Sequence, residues 1–398
     1  MKRTFLQTKG TGIFSGARPV MLRGVNLGGW LMMEGYMLHA RNVAEQAFKK
    51  EFRSVHGPKG LAEFEKYFRD NFVTEKDFQR IAFSGFNCVR LPFNFRLIEK
   101  APYRYDPVGV ERLKTAVRWA KKNRLWVILD LHAAPGAQNH DWHSDSLGTA
   151  ELWRKKSYQD RTAALWEYLA GCFKDEEAVA GYDVLNEAVL DDAKVLNSFY
   201  RKLIRAIRRS DPNHILFVEG NRWAMDLDCL DDFEDENLAL SVHFYWPMEF
   251  TFNLVPGLSY PMKRFGKKEM KKALAVYARI ARRRQRPIFV GEFGVNVRDG
   301  FYREHLWLKD ILECFRDFQF HWTYWTYKTV KNSIFPDGIY SYRENPPWVS
   351  RQGPRLGWDN YAPLWEHNKH GIVRSWRTDM FQVNEHIGNE LRQAAKTK

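Results

Sequence analysis

Residues 182–190, YDVLNEAVL, run as an apolar, strand-like stretch straight into an adjacent amide and carboxylate, Asn186 and Glu187. Burying such a pair at the end of a core strand is costly unless each group finds a partner. The stretch therefore reads as a strand whose tip opens on a site. Outward from it the same design repeats: VMLRGVNL (20–27), FNCVRLPF (86–93), WVILDLHA (126–133), GYDVLNEA (181–188), ILFVEG (215–220), LALSVHFY (238–245), PIFVGEFG (287–294) and FHWTYWTY (320–327) are short apolar segments of strand character. Between them lie amphipathic helical stretches such as 109–124, 198–210 and 302–318. Eight strands alternating with helices, without a Ser-, Gly- or Pro-rich linker, predict an α/β chain folded as a single (β/α)8 TIM barrel over residues 1–398. A doubly wound open sheet is the other topology for this alternation, and its Gly-rich dinucleotide fingerprint is missing. GTGIFSG (10–16) reads as a hairpin-like turn before the first strand. Residues 28–85 and 328–375 are expected as long loops that shape a binding surface.

The formal net charge of +14 raises the question of a nucleic-acid partner, and its distribution answers it. Residues 263–286 carry eleven Lys or Arg against one Glu, so the charge is local. Met270, Leu274, Tyr277 and Ala281 recur there at helical spacing, which predicts a solvated helix packed on a core; an anionic surface is the alternative partner for this segment. With no zinc-finger spacing, RNA-binding aromatic signature or P-loop, no nucleic acid is expected. Cys88, Cys172, Cys229 and Cys314 are scattered without a CxxC pair and read as reduced core residues. No apolar run is long enough to predict a membrane span, and the N-terminus shows no signal peptide. A cytoplasmic location is the expectation, although a secreted chain already trimmed of its signal would read the same.

In a (β/α)8 barrel, functional side chains sit at the C-terminal ends of the strands. Here those ends carry Asn26, Arg90 with Asn94, Asp130 with His132, Asn186 with Glu187, Glu219, His243 with Tyr245, Glu292, and Trp325. Glu187 and Glu292 close the fourth and seventh strands and would face each other across one cavity. Such a pair suits glycosidic bond cleavage, one carboxyl protonating the leaving oxygen while the other attacks the anomeric carbon or activates water. The pair needs different environments, with the acid kept protonated and its partner ionised. Asn186 is placed to bind a sugar hydroxyl, Arg90 to keep a carboxylate ionised, and His243 and Tyr245, two apart on one strand, to orient the pair. Trp325 offers a flat face for a sugar ring. Asp130 and Glu219 are either substrate ligands or partners of an Arg. Trp348, Trp358, Tyr361 and Trp365 would supply an aromatic wall, close the cleft into a pocket, or simply pack the long loop over the barrel. His140 and His143 in HDWHSD (140–145) are three apart, but with no helix or carboxylate scaffold no metal site is expected.

The motifs RGVNLGGW (23–30), VRLP (89–92), DLHAAPGAQN (130–139), LNE (185–187), HFY (243–245), GEFG (291–294) and YWTYKT (324–329) resemble, in order, those of glycoside hydrolase family 5. The resemblance implies a cofactor-free, retaining hydrolase of β-glucosidic bonds, with Glu187 as acid and base and Glu292 as nucleophile. It also implies that Arg90, His132, Asn186, His243, Tyr245 and Trp325 line the subsite of cleavage. NLGGWLMMEGY and DLHAAPGAQN are most similar to the fungal exo-β-1,3-glucanase branch, in which the residues matching Glu34 and Asn139 hold the terminal glucose. Tyr327 and Val330 depart from that branch, whose motif has Trp and Glu there. Endo-β-1,4-glucanase is the near alternative, and a carbohydrate-binding protein without turnover is the alternative of another class.

Overall fold

The computed structural model describes residues 4–38, 41–330, 333–341 and 358–396. All eight expected strands form: β1 Arg23–Asn26, β2 Cys88–Asn94, β3 Trp126–Ala133, β4 Val179–Asp183, β5 Ile215–Glu219, β6 Leu238–His243, β7 Ile288–Glu292 and β8 His321–Tyr324. Each is parallel to its neighbours, and β8 pairs with β1 (Trp322 with Arg23, Tyr324 with Val25) to close the barrel. Strands β2 through β7 are apolar nearly throughout because both faces are covered, the inner by other strands and the outer by helices. Several strands are shorter than the sequence suggests. Asn186 and Glu187 lie three and four residues past β4, Tyr245 two past β6, and Trp325 one past β8.

The helices show why their sequences fold as they do. In α3 (Pro107–Lys122), Asp106 caps the first turn by accepting from Val108 N, with Pro107 at the first helical position. In α5 (Ala193–Arg208), Asp192 plays the same part, and Leu196, Phe199, Tyr200, Leu203 and Ile207 form one buried stripe. Segment 28–85 is not one long loop: it holds α1 (Glu45–Asn71) and α2 (Glu75–Phe83). Gly57–Pro58 interrupts α1 and reads as a loop signal in sequence. Phe48 and Phe52 before the break, with Phe64 and Phe68 after it, nevertheless keep i,i+4 spacing and bury a common face.

That face packs on α8 (Trp358–Ser375). Trp365 lies against Phe52 and Phe64, and Tyr361 against Phe64, both fully or nearly fully buried. Of the three readings, packing holds for these two residues, which serve a packed layer and neither a wall nor a pocket. Trp348 and the Trp358 side chain lie outside the described residues. Tyr327 and Lys328 of the YWTYKT motif also turn to this layer: Tyr327 Oη donates to Asp77 Oδ1 (2.9 Å), and Lys328 Nζ donates to the carbonyls of Phe72 and Trp376 and to Thr378 Oγ1.

The basic segment forms α6 (Lys267–Arg284), which buries Met270, Leu274, Ala278 and Ala281. Lys267 pairs with Glu313, Lys271 with Asp317 and Arg283 with Asp228, the first two on α7 (Glu304–Phe318). At the N-terminal end, strands Leu6–Lys9 and Gly12–Ser15 make the expected hairpin, and Leu6 and Ile13 plug the barrel from below against Ile128, Ile215, Phe217 and Phe289. Among the described residues, no helix is long and apolar enough to cross a membrane.

Candidate active site

Arg90, fully buried on β2, organises the C-terminal end of the barrel. Its Nε donates to Asp183 Oδ2 (2.8 Å) and its Nη1 to Glu292 Oε1 (2.7 Å) and Asn26 Oδ1 (3.1 Å). Its Nη2 donates to Asn186 Oδ1 (2.8 Å) and Glu219 Oε1 (3.1 Å), with Asp130 Oδ2 at 3.2 Å. A buried guanidinium is tolerated only when its donors are all matched, and here a planar fork meets acceptors from five other strands or their tips. Burial opposes the charge, yet Asp130, Asp183, Glu292 and Glu219 hold Arg90 firmly protonated.

Glu292 ends β7 with both oxygens engaged. Oε1 takes the Arg90 bond, and Oε2 accepts from Tyr245 Oη at 2.7 Å. Burial, then the Glu292 charge, raises the Tyr245 phenol well above its ordinary pKa, so it stays a donor. The carboxylate is thus fixed by two donors. Its neighbour Gly291 leaves room for His243, since a Cβ there would stand 3.1 Å from His243 Nε2.

Glu187 is held on four sides. Its backbone N donates to Glu219 Oε2 (2.6 Å), its carbonyl accepts from Asn139 Nδ2 (2.9 Å), Oε1 lies 2.7 Å from His243 Nδ1, and Oε2 lies 2.8 Å from His143 Nε2. Its φ of +44° is left-handed, a costly conformation for a side chain of this size and one found at functional sites. One carboxylate oxygen of Glu187, one of Glu292 and a nitrogen of His243 all lie within 4.8 Å of one another.

The ionisation of Glu187 differs from the sequence expectation of a carboxyl kept protonated by burial. Burial does push its pKa up, but the hydrogen bonds from His143 and His243 outweigh it and hold the group well below the usual carboxylate range. The protons reside on the imidazoles instead: His143 is raised to about 9 by its Glu187 bond despite burial, and His243 is raised well above its ordinary value.

The remaining expected residues gather around this pair. His132 donates from Nδ1 to Asp130 Oδ2 (2.8 Å), and burial lowers it to about 3, leaving a neutral ring whose Nε2 accepts. Trp325 stacks on His132, centroids 5.4 Å apart and planes within 6°, and donates to Tyr36 Oη. Glu34 is buried with Oε1 lacking a hydrogen-bond partner, and burial raises its pKa well above the ordinary value. Asn186 Nδ2 is likewise unpartnered. Asn139 is near but differently occupied: its amide serves the Glu187 carbonyl and His143, and its Oδ1 accepts from Asp141 N.

Sequence reasoning misses five contributors, of which one, Asp183, lies on a strand and accepts from Arg90 at 2.8 Å and the other four lie off the strands. His143 lies on the Glu187 carboxylate, while His140 is largely exposed and turns its ring to Trp223. Tyr36, Trp142 and Phe335 touch one another beside Trp325, centroids 5.0–6.1 Å apart. None of these four sits on a strand, so no periodicity marks it. The largest of the cavities described, about 510 Å³, is remote from all of these, between the N-terminal hairpin and α7.

A family model described as cellulase (glycosyl hydrolase family 5) matches residues 46–330. A β-xylosidase of Phanerodontia chrysosporium is 33% identical over 343 residues, covering 82% of this chain and 71% of that protein. Endoglucanase C of Acetivibrio thermocellus is 26% identical over 351 residues, 78% of this chain and 92% of its own. A probable glucan 1,3-beta-glucosidase A of Emericella nidulans is 30% identical over 239 residues, 56% of this chain and 57% of that protein. Among solved structures, a hyperthermophilic endo-β-1,4-glucanase in complex with substrate shares the fold, with a TM-score of 0.62 at 21% identity over 86% of this chain and 96% of that one.

Proposed function

The chain belongs to glycosyl hydrolase family 5 and is a glycoside hydrolase, and from that premise we propose that it cleaves β-glucosidic bonds in a β-glucan or gluco-oligosaccharide, with retention, through a glycosyl-enzyme intermediate. The observation that carries the reading is the close approach of Glu187 and Glu292, with oxygens within 4.8 Å. Retaining enzymes space their carboxyl groups by about 5–5.5 Å, whereas inverting enzymes need about 6.5–9.5 Å to admit a water.

Glu292 is the nucleophile, because Arg90 and Tyr245 each donate to one of its oxygens and hold the carboxylate in one orientation. It attacks the anomeric carbon as the leaving oxygen departs with a proton delivered through Glu187. Water then enters, loses a proton to Glu187 and releases the sugar from Glu292. Asn186 Nδ2 serves the hydroxyl beside the reacting carbon, where a hydrogen bond strengthens in the transition state. Glu34 Oε1 and His132 Nε2, 3.8 Å apart, are spaced for a sugar hydroxyl to bridge them.

The linkage we favour is β-1,3, with exo action. The mutual contact of Tyr36, Trp142 and Phe335 beside Trp325 supports a cleft closed on that side, which favours removal of terminal sugars. The test is product analysis over time on laminarin, carboxymethylcellulose, lichenan and aryl β-glucoside and β-xyloside, with the anomer of the first product read by NMR. Glucose alone from laminarin, released first as the β-anomer, is the expected outcome. Mixed oligomers from carboxymethylcellulose would move the assignment to endo-β-1,4 cleavage, release of xylose alone would move it to β-xylosides, and an α-anomer first product would overturn retention.

A further inference from the structure

Glu187 has to deliver a proton, yet in the free protein it is held as a carboxylate between two imidazoles. The proton therefore has to come from one of them. His243 is poorly placed to supply it. Its ring is 1% exposed, its Nδ1 lies between Glu187 Oε1 (2.7 Å) and Glu292 Oε2 (3.6 Å), and its Nε2 is 3.2 Å from Glu219 Oε1 without hydrogen-bond alignment. A proton leaving His243 would abandon three buried carboxylates.

His143 has the complementary features. It bonds the other oxygen of Glu187, Oε2, and its side chain is 15% exposed, so it exchanges protons with solvent. It lies on the short helical turn Trp142–Ser144, whose start is pinned by Asn139 Oδ1 accepting from Asp141 N and by Trp223 Nε1 donating to Asp141 Oδ2. The Asn139 amide decides the matter. One N–H goes to the Glu187 carbonyl, and the same nitrogen lies 3.1 Å from His143 Nε2. A protonated Nε2 meets that N–H donor to donor, whereas a neutral Nε2 accepts from it. Asn139 thus stabilises the state in which the proton has moved to Glu187, while the charges of Glu34 and Asp141 stabilise the state in which it has not. His132 faces it as a ring 6.1 Å away, and Trp142 as an edge contact at 5.4 Å. Asn139 and these carboxylates thus act in opposite senses on the two proton positions of one 2.8 Å line.

We propose that His143 is the proton store of the acid–base step, a positioning residue that acts through Glu187. In the first half-reaction the bond from the anomeric carbon to the leaving oxygen breaks as the bond to Glu292 forms. The leaving oxygen takes a proton from Glu187 Oε2, and Glu187 takes one from His143 Nε2, which becomes neutral. In the second, the bond from water oxygen to the anomeric carbon forms as the Glu292 ester breaks. The water proton passes to Glu187 and on to His143, and both end as they began. The inference rests on the reading of Glu187 as the acid and base.

The test is His143→Gln and His143→Asn, assayed across pH on 2,4-dinitrophenyl β-glucoside, whose leaving group needs no proton, and on whichever glucobiose the wild type cleaves. The wild type is expected to hold its glucobiose kcat/KM up to about pH 9, the region of the His143 pKa. In the variants the alkaline limb of kcat/KM should fall by at least about one pH unit, with a ~10²-fold loss of kcat/KM on glucobiose at pH 8, a general acid's usual contribution, and a change of less than about threefold in kcat/KM on the dinitrophenyl substrate, a parameter that reports glycosylation alone. Equal losses on both substrates, or an unmoved alkaline limb, would overturn the proposal. Imidazole NMR of the wild type gives a reading that needs no variant: a His143 titrating at or below about 6.5, the unperturbed value, would overturn it too. Glu187→Ala separates this inference from its premise. If azide restores dinitrophenyl turnover in that variant, Glu187 is the acid and base and only the His143 step is in question. If azide does not, the premise fails and the proposal with it.

Discussion

The two ends of this barrel bury opposite chemistries in the same strands, often one pleat apart. On β2, Cys88 faces the lower interior and Arg90 the upper; on β3 the pair is Ile128 and Asp130, and on β5 it is Phe217 and Glu219. Residues i and i+2 share a face of a strand, so the change from oil to charge occurs across a single layer. Below it, Leu6 and Ile13 of the hairpin cover Ile215, Phe217 and Phe289. Above it, one guanidinium answers four carboxylates. The lower layer contributes burial energy and needs no particular orientation. The upper layer contributes orientation at a desolvation cost, and only the lower one can offset that cost.

The sharpest separation is expected at Glu292→Gln. Activity should fall by about 10⁴-fold or more, in the range seen when a covalent nucleophile is removed, while the melting temperature of this near-isosteric variant stays within about 2 °C of wild type by calorimetry. Arg90→Met should break the separation, because this side chain belongs to both roles. Removing one partner of a buried ion network costs about 3–5 kcal/mol, so urea unfolding should show that loss together with abolished turnover; retained stability would mean the carboxylates find other partners. At the lower end, Phe217→Ala should cost about 3–5 kcal/mol by the same unfolding assay and leave kcat within about threefold at a temperature where the variant is folded. A large fall in kcat there would show that the layers are coupled.

The smallest effect belongs to a buried charge at neither end. Burial lowers Lys328 to about 7, against the 10.5 of a free lysine. Between those values the unfolded chain binds more protons than the folded one, so stability rises with pH across the window and the penalty is full below about pH 7. Lys328→Met should remove that slope and cost about 1–3 kcal/mol for the acceptors it strands. Urea midpoints of wild type and variant at pH 6.5 and 9.5 give the comparison directly.

The contrast between the ends also explains what the sequence reveals. Arg90, Asn186, Glu187 and Glu292 are legible because a charged or amide group at the tip of an apolar strand needs a reason to be there. Asp183 obeys the same rule, since it ends β4 and binds Arg90 at 2.8 Å, and is overlooked because the apolar run continues past it and moves the expected strand end to Asn186 and Glu187. His143 is invisible to that rule. It lies on a turn, where neither period two nor period 3.6 applies, and its spacing from His140 only raises a metal question that the sequence answers in the negative; the two rings face different partners. Tyr36, Trp142 and Phe335 meet only because three separate connections converge, and no local pattern encodes that. The two-part α1 is hidden for the reverse reason: Gly57–Pro58 signals a break, and the surrounding Phe spacing that survives it is visible only once α8 supplies the opposite face.

The way Arg90 gathers its partners bears on how the molecule comes into being. They run from Asn26 to Glu292, and the final seam joins the first and last strands, where Leu22 N donates to the His321 imidazole across 299 positions of chain. A ribosome emits the guanidinium long before Glu292, the last of its carboxylate partners. Asp130, Asp183 and Glu219 follow Arg90 in turn, and its set of carboxylates is complete only when Glu292 has been added. Turnover and seam closure then become possible almost together, which makes the first molecule of product a timestamp for the last step of assembly.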